Sequence, residues 1–413
     1  MAQPRCSIIV GAGLGDEGKG HLTDIFCNMP NTLNIRFNGG PQAKHTVVTP
    51  DGRRFAFRHL GAGTFTGAAT YLGPEFLVNP VSFVLECRTI NENFRLYPAV
   101  FVNGDAPVTT LYDEYINQAV EEHRDKNRHG SCGMGIWETV VRTDNPEYRI
   151  TIKDLLNPES LEEKLKKIRD VYVPKRLKEE YNLEISDLDD LSEDYPTLLS
   201  DDETIKMYMF YVYEFLSLVS IRDNTIINLF SNLVFEGAQG LGLDENNPDC
   251  SPDFLTPSTT GVTNAMNILQ SVGYKGKPDI YYVSRAYATR HGMGPLEHEA
   301  ESVRYKNFAD PSNKTNKFQG ELRFAYIDFE VLSKMILRDM NHITIPSSTN
   351  LCFTCLDQLD NQFGLGSSDG ILKYQSGDFI GMARKHFKNS IPGLSGLSYT
   401  YGLTRDEFDY MKV

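Results

Sequence analysis

At 413 residues the chain is long enough for one large domain or two, with a sizeable buried core. Hydrophobic content of 40% and charged content of 23% fit an ordinary globular protein, and no apolar run approaches the ~20 residues that span a bilayer. The 41 Lys and Arg against 55 Asp and Glu give a net charge of −14, which argues against a broad nucleic-acid groove, and seven scattered cysteines without a secretory leader predict a cytoplasmic protein.

The first element, Cys6 to Gly11, is a short apolar run of the kind that fills a central parallel strand. A glycine-rich loop follows, and Leu22 to Cys27 can begin a helix. Strand, glycine loop and helix together open an α/β nucleotide-binding sheet. The spacing Gly13-x-x-x-x-Gly18-Lys19 suits a phosphate cradle, where glycines let backbone N–H groups converge and lysine adds a charge. The usual Ser or Thr after the lysine is absent, since Gly20 and His21 follow. Asp16 is therefore the candidate metal ligand or proton acceptor inside the loop.

Further strand-like runs are Leu33 to Phe37, Asn232 to Phe235, Asp279 to Val283 and Leu351 to Leu356. Between about 152 and 223 the composition changes. Glu162 to Lys178 is rich in Lys and Glu, Glu184 to Asp202 is acidic, and Ile205 to Val219 is apolar with helical spacing. These predict a helical insertion with solvated charged faces, within one domain covering 1–413. The fold class expected is α/β, with a large, mainly parallel central sheet. Cys352 and Cys355 lack a second pair for a zinc site and read as packing residues of a buried strand.

Several blocks extend the pattern. They are Asn38-Gly-Gly-Pro-Gln-Ala-Lys-His-Thr-Val47, Gly130-Ser-Cys-Gly-Met-Gly-Ile136, Phe235-Glu-Gly-Ala-Gln-Gly240, Leu255-Thr-Pro-Ser-Thr-Thr260, Ser284-Arg-Ala-Tyr-Ala-Thr-Arg-His-Gly-Met-Gly-Pro295 and Thr354-Cys-Leu-Asp357. With Gly-Asp-Glu-Gly-Lys-Gly20 they resemble, in order and over nearly the whole chain, the adenylosuccinate synthetases.

That resemblance implies a ligase joining L-aspartate to C6 of a 6-oxopurine nucleotide. A nucleoside triphosphate with Mg²⁺ first phosphorylates O6, and the aspartate amine then displaces phosphate. It implies Asp16 as base and metal ligand, with the backbone carbonyl of Lys44 completing the metal site. His45 lies beside O6 and the γ-phosphate, and Lys19 is catalytic. Gly15, Glu17, Gly18, Gly20, Thr46 and Asp357 bind the donor nucleotide. Ser131, Cys132, Gln239 and Thr256 bind the purine nucleotide, with Arg142 reaching its phosphate from a neighbouring subunit of a homodimer. Arg323, Asn316 and Gln319 hold aspartate, and Arg290 joins the site.

Asp357 favours GTP as donor, but Cys355 replaces the lysine that packs over guanine, which leaves ATP or dATP open. Pro41-Gln42 replaces an Asn-Asn pair, Lys44 a glycine and Leu14 a tryptophan. These changes are similar to the viral branch that acts on dGMP to make 2-aminoadenylosuccinate, an enzyme of the host cytoplasm. Common members of that branch lack the loop aspartate retained here as Asp16. IMP stays open as substrate. A GTP-binding switch using the same loop is the reading from another class, disfavoured by the missing Ser/Thr after Lys19. An inactive nucleotide-binding paralogue is a third.

Overall fold

The computed structural model describes residues 3–125, 128, 130–188, 198, 201–300 and 320–412. The expected aspartate-site residues Asn316 and Gln319 lie outside them. The strand Arg5–Gly11 (β1) is buried from Cys6 onward and pairs in parallel with Asn232–Gly240 on one side and Asp279–Arg285 on the other. Among the described residues the main sheet has ten strands. From one edge these are Phe408–Lys412, Leu394–Thr400, Ser348–Thr354, Asp279–Arg285, β1, Asn232–Gly240, Thr32–Arg36, Ala69–Leu72, Val100–Val102 and Ser220–Ile221. All neighbours are parallel except the edge strand Phe408–Lys412. The four strand-like runs read from the sequence all lie in this sheet.

One difference lies at its end. The strand Ser348–Thr354 stops before Cys355, which takes a left-handed backbone (φ 61°) and starts the turn Leu356–Gln358. Only Cys352 of the cysteine pair is a buried strand residue; Cys355 is half-buried. The apolar run continued past the point where hydrogen-bonded pairing ends.

The first helix, Lys19–Cys27 (α1), begins earlier than its apolar residues suggest, directly after Gly18 in the left-handed region (φ 84°). Leu22 and Cys27 face inward against β1 and its neighbours. Between Ile152 and Asp223 the chain forms the helices Pro158–Lys167, Val173–Tyr181 and Asp202–Leu218, the first two joined by a π-helical turn at Ile168–Tyr172. Their apolar faces (Leu161, Leu165, Leu177, Ile205, Val212, Phe215) join the same buried cluster as Val84, Val102 and Leu111. Each fully buried large aliphatic or aromatic side chain contributes about 1.5–3 kcal/mol relative to exposure. The helices therefore extend this core and do not enclose a separate one.

Arg142 sits inside that region and overturns its expected role. Its side chain is fully buried on the helix Ile136–Asp144. Nε and Nη2 donate to Asp113 at 2.8 Å each, Nη1 donates to the Tyr148 carbonyl at 2.7 Å, and Nη2 also reaches the Val108 carbonyl at 2.6 Å. Every nitrogen is committed to the protein interior, so Arg142 cannot extend to a nucleotide in another subunit. The homodimer inference that leaned on it loses its residue. Arg142→Ala should leave Asp113 buried and unpaired, lowering stability by about 3–5 kcal/mol. A clear fall in thermal midpoint is expected; an unchanged midpoint with lost substrate affinity would restore the binding role.

Candidate active site

Parallel strands place their C-terminal ends at one edge of the sheet, and the loops leaving that edge enclose a cavity of about 680 Å³. Asp16, Lys19, Gln42, Lys44, His45, Ser131, Cys132, Gln239, Thr256, Arg285, Arg290 and Asp357 are among the residues lining it. Gly15, Glu17, Gly18, Gly20 and Thr46 line it too. Segments more than 300 residues apart in sequence thus share one chamber.

The loop after β1 is held by its own acid. Glu17 is buried, and its Oε1 accepts from the N–H groups of Gly15 (2.7 Å) and Gly13 (3.1 Å). Oε2 pairs with Lys19 Nζ at 2.5 Å. A carboxylate thus occupies a cradle whose donors and lysine are of the type that hold a phosphate. Glycine is required at position 20 for another reason. A Cβ there would stand 2.8 Å from the His45 Cβ, so this residue lets α1 approach the strand His45–Val48. Thr354 Oγ1 donates to the Glu17 carbonyl at 2.7 Å, tying the loop to a strand across the sheet.

Asp16 holds a left-handed backbone (φ 60°), and its Oδ2 lies 3.1 Å from His291 Nε2. Burial would raise its carboxyl pKa. The hydrogen bond and charge of His291, with the charges of Arg285 and Lys19, outweigh burial and hold it well below the usual carboxylate range. Arg285 Nε also donates to the Asp16 carbonyl, and Nη1 to the Tyr287 hydroxyl. An ionised carboxylate lining the cavity is suited to a hard cation such as Mg²⁺.

His45 is almost fully buried, and its Nδ1 is hydrogen-bonded to Glu236 on the strand Asn232–Gly240. The second Glu236 oxygen accepts from the Ala62 N–H at 3.0 Å. Burial lowers the His45 pKa, against the opposing charge of Glu236. Burial likewise raises that of Glu236, but Arg36 and His45 bring it below its ordinary value. The pair therefore fixes the ring while leaving Nε2 without a hydrogen-bond partner in the cavity wall. With the Nδ1–H given to the ionised Glu236, the neutral ring presents an acceptor at Nε2 and can donate there only as imidazolium.

The loop Gly130–Gly135 forms another wall. Its glycines at 130, 133 and 135 have φ of 77°, 74° and 68°. Asn117 Nδ2 donates to Ser131 Oγ (2.9 Å), Gln118 Nε2 to the Gly133 carbonyl (3.0 Å), and the Gly135 N–H donates to Asn117 Oδ1 (3.1 Å). Gln239 is left-handed (φ 62°) at the end of its strand. The side chain of Gln42 brings a buried oxygen and a buried nitrogen, neither with a hydrogen-bond partner. Burial raises the Asp357 pKa.

Two arginines singled out in the sequence are spent on the scaffold. Arg290 donates to the carbonyls of Met293, Pro295 and Phe254. Arg323 pairs with Glu299 and donates to the carbonyls of Gly292 and Gly294. It does not line the cavity, so in this arrangement its guanidinium is not offered to an aspartate carboxylate. Sequence reasoning had missed Glu236, Arg285 and His291. Each stood inside a quoted motif, but only spatial contact with His45 or Asp16 reveals its part.

Comparisons with known proteins identify the family. The family model described as adenylosuccinate synthetase matches residues 8–363. Adenylosuccinate synthetase of Borrelia duttonii is 26% identical over 371 residues, covering 86% of this chain and 77% of that protein. Fully ligated adenylosuccinate synthetase from Plasmodium falciparum superposes with a TM-score of 0.73 at 19% identity, covering 99% of this chain and 100% of that one. Succinoaminodeoxyadenylate synthetase of cyanophage S-2L, bound to dGMP and dATP, gives a TM-score of 0.61 at 12% identity over 99% and 96%. Those two likenesses establish the shared fold. With most of its length matched by the family model and the loop residues gathered in one cavity, the chain belongs to the adenylosuccinate synthetase family, carbon–nitrogen ligases that join aspartate to an oxopurine nucleotide.

Proposed function

We propose that the oxopurine nucleotide is dGMP, converted with L-aspartate and a nucleoside triphosphate to 2-amino-2′-deoxyadenylosuccinate. The observation that carries this reading is Gln42. Its side-chain oxygen and nitrogen are buried without hydrogen-bond partners, and the residue lines the cavity. An amide turned toward the cavity would take a guanine 2-amino group as its donor, whereas hypoxanthine has only a C–H there. Leaving a buried acceptor unpaired costs about 1–3 kcal/mol. The cyanophage enzyme with dGMP bound shares the fold and supports the same reading. IMP is the second reading, favoured by the naming of the curated relatives. The donor is GTP, with ATP or dATP as alternatives, the last being the nucleotide bound to the cyanophage enzyme.

In this reading the ionised Asp16 and the backbone carbonyl of Lys44 would hold Mg²⁺, which would supply charge neutralisation to the donor phosphates. The Asp16 carboxylate takes the N1 proton of the purine as O6 attacks the γ-phosphorus and the nucleoside diphosphate leaves. His45, oriented through Glu236, takes up a proton at Nε2 beside the anionic phosphates, and as imidazolium it donates to the transferring phosphoryl group. The aspartate amine then adds at C6 and inorganic phosphate departs. Glu17 must release Lys19 and the Gly13 and Gly15 N–H groups for the donor phosphates to enter.

The deciding experiment compares kcat/KM for dGMP, GMP and IMP, each with Mg²⁺, aspartate and GTP or dATP. dGMP should lead, and Gln42→Ala should cut its advantage over IMP by about tenfold. A wild-type preference for IMP would establish the second reading instead. Phosphate release independent of aspartate would remove the ligase activity altogether.

Asp16→Asn and His45→Ala should each lower kcat by about 100-fold or more, the first with little change in thermal midpoint and the second with a fall, because buried Glu236 loses its partner. Glu236→Gln should give a smaller loss of the same kind, because it loosens the ring without removing it. Unchanged turnover in Asp16→Asn would show that the proton and metal are handled elsewhere.

A further inference from the structure

Asp16 (φ 60°) and Cys355 (φ 61°) both line the cavity with a left-handed backbone, which a residue with a Cβ keeps only where its neighbours hold it. Asp16 belongs to the loop after β1, and Cys355 starts the turn Leu356–Gln358 that carries Asp357. The two lie more than 300 residues apart in sequence, yet a buried chain of side chains joins them.

That chain begins where two neighbouring strands end. Arg285 is in register with Thr354, and the Ala286 N–H donates to the Thr354 carbonyl at 3.1 Å. Arg285 Nε donates to the Asp16 carbonyl, and Nη1 donates to the Tyr287 hydroxyl at 3.0 Å. The Tyr287 hydroxyl donates in turn to Gln358 Oε1. The Gln358 N–H closes the turn on the Cys355 carbonyl at 3.1 Å. Arg285, Tyr287 and Gln358 are all buried, and the Arg285 guanidinium lies 5.6 Å from the centre of the Tyr287 ring.

Chemistry gives this chain one direction. A guanidinium only donates, so the Tyr287 oxygen accepts from Arg285 and its own proton goes to the amide oxygen of Gln358. The charge on Arg285 polarises the hydroxyl, and the second bond is stronger for it in a buried setting. One hydroxyl thus ties the loop that carries Asp16 to the turn that carries Asp357. Asp357 and Gln358 line the cavity, whereas Tyr287 does not.

We propose that Tyr287 and Gln358 are positioning residues for the phosphoryl donor. Through Arg285 they hold the Asp357 turn and the Asp16 loop in one fixed relation, so that a nucleoside triphosphate with its base on the turn presents its γ-phosphate at Asp16. The proposal rests on the ligase reading for the place of the base at Asp357. It is independent of the choice between dGMP and IMP. Tyr287 acts only through its two partners and touches no reacting atom.

The test begins with Tyr287→Phe, which removes both hydrogen bonds of the hydroxyl and keeps the ring. With GTP or dATP as donor, kcat/KM for the triphosphate should fall by about tenfold, the scale of one hydrogen bond to a charged group. KM for the monophosphate and for aspartate should stay within about twofold of wild type. Gln358→Leu should behave alike, and the double variant should lose little more than either single one. Gln358→Glu still offers an acceptor to Tyr287 and should recover most of the loss. Effects that multiply in the double variant would overturn the link and leave two separate structural roles. Unchanged triphosphate kinetics, or a rise confined to the monophosphate or aspartate KM, would overturn it as well.

Calorimetric titration without monophosphate or aspartate gives a second reading that needs no turnover. Tyr287→Phe should weaken the tighter of GTP and dATP by about tenfold, and should leave inorganic tripolyphosphate, which has no base to reach the turn, within about twofold. Equal weakening of both, or of neither, would overturn the proposal. If wild type shows no aspartate-dependent turnover, the ligase reading fails, and this arm alone judges the link. Thermal melting identifies a variant that misfolds; should Tyr287→Phe do so, the comparison of Gln358→Leu with Gln358→Glu decides.

Discussion

Parallel pairing of β1 with its two neighbours is the constraint on which the site depends. Because Arg5–Gly11, Asn232–Gly240 and Asp279–Arg285 run the same way, their ends emerge side by side, and Asp16, Gln239 and Arg285 follow from that alone. The strand Thr32–Arg36 adds Lys44 and His45 through the loop that leaves it, and Ser348–Thr354 adds Asp357. Shifting one strand by a residue would turn its side chains to the other face of the sheet and carry its loop away from the others. The buried core on both faces prevents that slip.

Upon that frame, charge is held in place by other charge. Glu17 keeps Lys19, Glu236 keeps His45, and His291 with Arg285 keeps Asp16. Each arrangement hides a titratable group from bulk water, where desolvation works against the ionised form, and then compensates it with a partner. The result is an ionised acid, an oriented imidazole and a lysine gathered in one chamber, a combination suited to phosphoryl transfer. Arg142 and Asp113 use the same physics for stability alone. Their pair is fully enclosed, and it anchors the helix Ile136–Asp144 that follows the Gly130–Gly135 loop.

The contrast between Arg142 and Lys44 marks the limit of reading residue type as role. An arginine near a phosphate loop invites assignment to the phosphate. Burial reverses that for Arg142, which has every nitrogen bonded inside the protein, whereas the exposed Lys44 lines the cavity with no partner among the described residues. Arg323 and Arg290 were likewise read as ligand contacts, yet their guanidinium groups serve backbone carbonyls.

The sequence by itself determined the parallel α/β class, the strands around β1, the phosphate-type loop and the family, because these rest on local features. Apolar runs mark buried strands, glycine spacing marks a loop that must turn, and motif order survives without any knowledge of contacts. The motifs also single out Asp16, Lys19 and His45. Tertiary structure alone decided which neighbours complete them: Glu236 behind His45, His291 and Arg285 around Asp16, and Glu17 inside its own cradle. Only there does an arginine prove buried and a glutamine amide prove unpaired. Burial and hydrogen-bond partnership arise from segments hundreds of residues apart, and no local pattern encodes which of them will meet.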